Sequence, residues 1–184
     1  MIPIHLDPAS AQVALIGRNG LALRRLTWLR AANATPDVWS DEPSAALVAS
    51  AGAALTLRLP KPRELERYAA IWIADLPLES ARETASAARS AGVLVNVEDV
   101  TSLSDFHTPA VVHRGKLTLS AGTGGASPAV ARAARERLEA TFPEGWSDAI
   151  EDIAHARALL REQGASFDTL VADARGRLTS RGLI

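Results

Sequence analysis

The chain has 184 residues, 47% of them hydrophobic, a mean hydropathy of +0.04 and a formal net charge of −1. That is enough chain to bury a core, and the charge excludes the strongly basic surface that a general nucleic-acid partner would require. Cysteine is absent, which removes disulfides, thiolate catalysis and Cys-ligated metal centres, and His5, His107, His113 and His155 are too scattered for a metal motif.

No apolar run approaches the ~20 residues of a membrane span. The opening Met1-Ile2-Pro3-Ile4-His5-Leu6-Asp7 lacks the charged-then-apolar layout of a signal peptide. A cytoplasmic protein with neither membrane nor nucleic-acid partner is expected.

Val13-Ala14-Leu15-Ile16 reads as a short buried strand ending at Gly17, and residues 21–32 as a helix with Ala22, Leu26 and Leu29 on one face. Val38-Trp39-Ser40 is a weak strand after the turn signal Thr35-Pro36-Asp37. Leu55-Thr56-Leu57-Arg58-Leu59 alternates like a half-buried strand, and Pro60 stops it. Ile71-Trp72-Ile73-Ala74 is a strand, residues 78–90 an alanine-rich helix, and Val93-Leu94-Val95-Asn96-Val97 a buried strand. This alternation predicts βαβ units, a parallel sheet and helices on both of its faces.

The pattern changes after about Phe106. Val111-Val112 and Leu117-Thr118-Leu119-Ser120 flank Arg114-Gly115 as a β-hairpin, and Ser127-Pro128 starts a helix that runs to about Thr141. Helices over about 147–163 and 166–180 close the chain. A hairpin with one helix buries little apolar surface, so it is expected to lean on the first domain or on a second chain.

Ligands of such sheets bind at the carboxyl ends of the strands. Ile16-Gly17-Arg18-Asn19-Gly20-Leu21-Ala22 lies where a strand becomes a helix, the context of the dinucleotide fingerprint G-x-G-x-x-G/A. Gly17 and Ala22 fill its outer positions. Asn19 takes the middle one; it tolerates positive φ, but its side chain fills space that phosphates would use. Asp41, about twenty residues on, is placed to accept from a ribose 2′-hydroxyl, which favours NAD over NADP; it also suits a solvated loop. Asp99 follows a buried strand and is read as a buried carboxylate at the strand's mouth, suited to general-base work or to capping a turn.

Ser120-Ala121-Gly122-Thr123-Gly124-Gly125-Ala126-Ser127-Pro128 is a glycine-rich turn feeding a helix, and the N–H groups of Gly124, Gly125 and Ser127 suit an anion. Arg114, Lys116, Arg132 and Arg135 form a candidate cationic cluster beside it, or ordinary solvated arginines on a surface helix. Ala133, Ala134, Leu138 and Phe142 form a candidate dimer stripe.

These segments together resemble the precorrin-2 dehydrogenases and the N-terminal part of siroheme synthases. Residues 2–7 resemble the family's "LPLFLDL", Ile16 to Arg24 its "VGGGEVALR", Asn96-Val97-Glu98-Asp99 its "NVVD" and Ser104 to Ala110 its "CDFIFPA". Arg114-Gly115 with Leu117-Thr118 is similar to "DRGPLT", and Thr123-Gly124-Gly125-Ala126-Ser127-Pro128 is identical to a common form of the family's most distinctive motif. Departures are Asn19, the loop Ile73-Ala74-Asp75-Leu76-Pro77 in place of "IAATDD", and His113 and Lys116 around Arg114.

The resemblance implies an α/β fold: a Rossmann-like NAD-binding domain over 1–112, a small α+β dimerisation region over 113–146 and a short helical region over 147–184. It implies that NAD takes a hydride from precorrin-2 to give sirohydrochlorin, in a homodimer, with Fe2+ insertion as a further activity of some members. Asp99 matches the catalytic aspartate; Gly20 with Leu21, and Pro43 with Ser44, match cofactor-contacting positions; Thr123 matches a residue of the tetrapyrrole cleft. No resident metal is implied. Asn19 keeps an alternative open: a divergent member with impaired NAD binding that acts as a chelatase or as a non-catalytic tetrapyrrole-binding dimer.

Overall fold

The structure, a computed structural model, describes residues 2–184. It contains two compact units, one ending at Thr108 and the other running from Pro109 to Ile184.

The first unit holds β1 (Val13–Gly17), α1 (Gly20–Ala31), β2 (Asp37–Trp39), α2 (Ala45–Ala51), β3 (Leu55–Thr56), α3 (Pro62–Leu65), β4 (Ala70–Ala74), α4 (Leu78–Ser90) and β5 (Leu94–Val97). Its five strands form one sheet in the order β3-β2-β1-β4-β5, with every pair parallel. The chain steps outward from β1 to β3, then returns to the other side of β1 as β4. That reversal makes a topological switch point between β1 and β4.

The two-residue period of a strand sorts the core onto two faces. Leu15, Trp72 and Ala74 join Leu26, Leu29 and Leu47 in one cluster; Ile16, Ile71, Ile73 and Val95 join Ala81, Ala85 and Ala88 in the other. Both faces of β1 and β4 are therefore buried, as their unbroken apolar runs predict. The pairings Gly17↔Ala74 and Ile73↔Val97 bring the carboxyl ends of β1, β4 and β5 to one edge.

The outer rim differs from expectation. The predicted strand over 55–59 shortens to Leu55–Thr56, because β2 offers only Val38 and Trp39 as partners and Leu57 stands 70% exposed beyond them. Two short helices were not predicted. Ser44 caps α2 by accepting from Leu47 N at 3.3 Å, and Glu64 closes the start of α3 by accepting from Lys61 N at 2.7 Å.

Beyond β5, the segment Ser104–Phe106 covers the sheet edge. Asp105 accepts from Val95 N at 3.0 Å and its own N–H donates to Val95 O at 2.7 Å; Ser104 Oγ accepts from Val97 N at 3.0 Å, and Asn96 Nδ2 donates to Phe106 O at 2.8 Å. An otherwise open edge is thus covered by three side-chain bonds and one backbone bond.

The second unit is the antiparallel hairpin β6 (Ala110–Arg114) and β7 (Leu117–Ala121), followed by α5 (Pro128–Thr141), α6 (Gly145–Glu162) and α7 (Phe167–Ser180). The expected boundary at residue 112 falls inside β6, where Val112 is buried, and the boundary at 146 falls inside α6. Both α5 and α6 lie against the hairpin, so the helical tail supplies the cover that the hairpin lacks alone. Contact is close at Gly115 (φ +58), where an added Cβ would lie 2.6 Å from Ser147 Oγ.

Candidate functional site

A cleft of about 520 Å³ opens at the carboxyl edge of the parallel sheet, within the roughly 300–1,000 Å³ usual for small-molecule sites. Three loops line it: Arg18 and Asn19 after β1, Glu42 to Ser44 after β2, and Asp75 to Pro77 after β4. Asn19, Pro43 and Ser44, singled out from the sequence, meet here, with Gly17, Gly20, Leu21 and Asp41 on the same loops or at the start of α1.

Gly17 lets β1 turn into α1 beside β4. A Cβ there would lie 2.2 Å from Ala74 O and 2.9 Å from Ala22 Cβ, so the first and last fingerprint positions serve close packing of strand against helix. Gly20 has nothing within 4 Å of an added Cβ and leaves open space at the head of α1. Asn19 has φ −118, so its tolerance of positive φ is not used, and its side chain makes no capping bond to α1.

Charge in the cleft is arranged around Arg18. Its Nε and Nη2 donate to the two Asp41 carboxylate oxygens at 2.8 and 2.6 Å, and Nη1 lies 3.3 Å from Glu42. The hydrogen-bonded Arg18 guanidinium holds the Asp41 carboxyl below its ordinary range, and Asp41 raises Arg18 in turn. Ser44 N donates to Arg18 O at 2.8 Å and ties the first two loops together. Asp75, in left-handed backbone (φ +57), accepts from Leu21 N at 2.6 Å and from Ala22 N at 3.3 Å.

The loops that carry this lining fit a dinucleotide. The Gly17 crossing, the space at Gly20 and an ionised acceptor at Asp41 are the parts such a ligand uses. Arg18, bound by two carboxylates, is not free for a 2′-phosphate. The Asp75 carboxylate occupies the amides at the head of α1.

At the end of β5, Glu98 bonds Arg25, and Arg24 at 2.7 Å, both from α1. Burial pushes the Glu98 carboxyl up, but Arg25 and then Arg24 outweigh it and leave it below the ordinary glutamate range. Asp99 follows at φ +61 on the turn after Glu98. It is exposed in the single chain, where a buried carboxylate was expected. β5 ends at Val97, so two residues of turn carry Asp99 out beyond the last buried strand position.

The second unit builds the glycine-rich turn from local bonds. Thr123 Oγ1 donates to Ser127 O and accepts from Ser127 N, both at 3.2 Å, while Ser127 Oγ caps α5 at Val130 N. Gly124 and Gly125 take φ +65 and +83, which only glycine adopts freely. Arg114, read from the sequence as a substrate cation, is bonded inward, from Nε to Phe142 O at 2.7 Å and from Nη1 to His113 O at 2.8 Å. Arg132 and Arg135 pair with Glu136 and Glu139 on their own helix, so the cationic cluster is largely neutralised in the single chain.

Sequence reasoning passed over Arg18, Glu42, Asp75 and Glu98 as site residues. Each sits within three residues of the carboxyl end of a strand, a position that alone marks it as a candidate.

A family model described as "Putative NAD(P)-binding" matches residues 4–110, close to the extent of the first unit. The chain is 30% identical over 166 residues to a siroheme synthase of Nitrosomonas europaea, covering 88% of this chain and 35% of the relative. It is 32% identical over 147 residues to a siroheme synthase of Chromobacterium violaceum, covering 78% of this chain and 31% of that one. It thus spans about a third of the length of these curated relatives. A solved structure titled "SirC, precorrin-2 dehydrogenase" shares the fold, with TM-score 0.69 and 21% identity over 96% of this chain and 88% of that one.

Proposed function

We propose a function from one premise: this chain belongs to the precorrin-2 dehydrogenase and siroheme synthase N-terminal family. It catalyses NAD-dependent oxidation of precorrin-2 to sirohydrochlorin in siroheme synthesis. The observation that carries this reading is the cleft lined by the loops after β1, β2 and β4, beside the tight Gly17 crossing and the Arg18-bound Asp41, inside the region that matches an NAD(P)-binding family.

In this reading Gly20 and Leu21 present the head of α1 to the dinucleotide, Asn19, Pro43 and Ser44 wall the cleft, and Asp41 accepts from a ribose hydroxyl. Asp41 and Glu42 disfavour a 2′-phosphate by like charge and by engaging Arg18. Bound NAD+ supplies an acceptor for the hydride that leaves the macrocycle. Asp99 takes the proton released with it, so precorrin-2 and NAD+ give sirohydrochlorin, NADH and a proton. Thr123, Gly124, Gly125 and Ser127 seat substrate carboxylates on the turn before α5, while Arg114 ties the other end of the hairpin to the end of α5.

The working form in this reading is a cytoplasmic homodimer. Support comes from α5, which has no buried residue in the single chain and leaves Val130 59% exposed. Among the described residues no helix is long and apolar enough to cross a membrane. Insertion of Fe2+ into sirohydrochlorin is the further activity, with Asp99 accepting pyrrole protons.

A second reading is favoured by one observation, the Asp75 carboxylate on the amides of α1. It keeps the tetrapyrrole site and loses NAD, leaving a chelatase or a binding dimer. Anaerobic incubation with precorrin-2 and NAD+ separates the two. The dehydrogenase reading expects NADH and sirohydrochlorin to appear together, and Asp99→Asn to abolish turnover while NAD+ still binds. Metal insertion without any NADH, in protein that does not bind NAD+, would establish the second reading instead.

A further inference from the structure

The first amides of a helix are donors without intrahelical partners, and they carry the positive end of its dipole. In α1 they are not served locally: Asn19 makes no capping bond and the first turn holds no acidic residue. Asp75, more than fifty residues away in sequence, serves them instead through Leu21 N at 2.6 Å and Ala22 N at 3.3 Å. It does so from the lining of the cleft and from left-handed backbone. The only cation in that lining, Arg18, is already held by Asp41 and Glu42. An arriving diphosphate therefore meets a carboxylate where it needs donors, and finds no free cation beside it.

We propose that Asp75 is a resident competitor for the diphosphate of the dinucleotide, an internal anion that must leave the head of α1 before the cofactor seats. The inference rests on the reading of this cleft as the NAD site and adds a determinant of affinity to it. Bound to α1, Asp75 completes the helix in the free protein; displaced, it yields the same amides to phosphate oxygens. The residue sets a threshold: adenosine and ribose contacts alone do not open the seat, and only a ligand that brings phosphate replaces the carboxylate.

Two variants of the full chain test it. Asp75→Gly frees the amides and suits the left-handed backbone; Asp75→Asn removes the charge and keeps an acceptor of the same shape. Calorimetric titration is expected to show NAD+ binding tightened by roughly 2- to 30-fold in Asp75→Gly, the span of a charge at a helix terminus. A smaller gain is expected in Asp75→Asn, and adenosine should bind alike to all three proteins. Without ligand, Asp75→Gly should melt earlier than wild type, and NAD+ should restore more of its stability.

NAD+ affinity unchanged or weakened in the folded variants overturns the proposal, as does an equal gain for adenosine. Should Asp75→Gly fail to fold, Asp75→Asn decides alone. If NAD+ binds none of the three proteins at millimolar concentration, this inference falls together with the NAD reading. If the variants bind NAD+ more tightly and yet precorrin-2 is never oxidised, the proposed function falls and the competitor stands.

Discussion

Consider replacing Glu98 by glutamine. Its carboxylate faces two arginines of unequal exposure: the Arg25 side chain is 10% exposed, like Glu98 itself, and that of Arg24 is 64% exposed. The Arg24 pair is screened by water and is worth ~0.2–1 kcal/mol. The Arg25 pair is not, and Arg25 Nε is already buried without a partner, so losing the carboxylate strands a guanidinium in the interior. Breaking a buried pair from one side costs about 3–5 kcal/mol, a large share of the ~5–15 kcal/mol by which domains are stable.

Urea unfolding followed by circular dichroism at neutral pH measures the loss. Arg24→Ala is expected to lose under about 1 kcal/mol, and the double variant Glu98→Leu with Arg25→Met to recover most of the Glu98→Gln loss by substituting apolar packing for the pair. The acid limb gives the sign. Because folding holds the Glu98 pKa below its ordinary 4.5, the folded state binds the proton less tightly than the unfolded one. Its contribution is whole above that value and disappears as pH falls through the lower folded pKa. Glu98→Gln should lack this part of the acid destabilisation. A loss under 1 kcal/mol together with an unchanged acid limb would refute the reasoning.

Three further outcomes follow from the cleft. Gly17→Ala, with its Cβ 2.2 Å from Ala74 O, should force the strand end apart and lower stability by about 1–3 kcal/mol in denaturant titration, with NAD+ binding weakened as well; wild-type stability would contradict the packing. Asp41→Asn with Glu42→Gln releases Arg18 and removes two negative charges, so the calorimetric preference for NAD+ over NADP+ should fall by roughly tenfold or more. An unmoved ratio would count against Asp41 as the ribose acceptor. Asn19→Gly should tighten NAD+ severalfold by opening space near the phosphates, and binding equal to wild type would show that the side chain is no obstacle.

Most of the fold was legible because its elements state themselves locally. β1 and β4 are unbroken apolar runs, as strands buried on both faces must be, and α4 and α5 end where Pro77, Ser90, Ser127 and Pro143 mark them. The rim was harder. β3 alternates like a five-residue strand, but its length is limited by a neighbour that offers two partners, a tertiary fact. Helices α2 and α3 are too short for a period to show and are betrayed only by their caps, Ser44 and Glu64.

Motif spacing drew attention to Gly17 and Asp41, which lie at the end of β1 and on the loop after β2. It did not mark Asp75, since its role depends on a contact across more than fifty residues of chain. The Arg114 reading failed to foresee its bonds to Phe142 and His113 for the same reason: a motif names a residue type but not what its five donors reach. Asp99 was placed correctly after β5, yet the turn that carries it to the surface begins only after the last paired residue.

Amide hydrogen exchange with and without saturating NAD+ interrogates the cleft most directly. The account predicts slowed exchange at residues 18–22 and 42–44, where the loops after β1 and β2 meet, and altered exchange at 75–77 as Asp75 releases α1. Protection confined to other segments, or none at all at ligand concentrations that saturate binding, would contradict it.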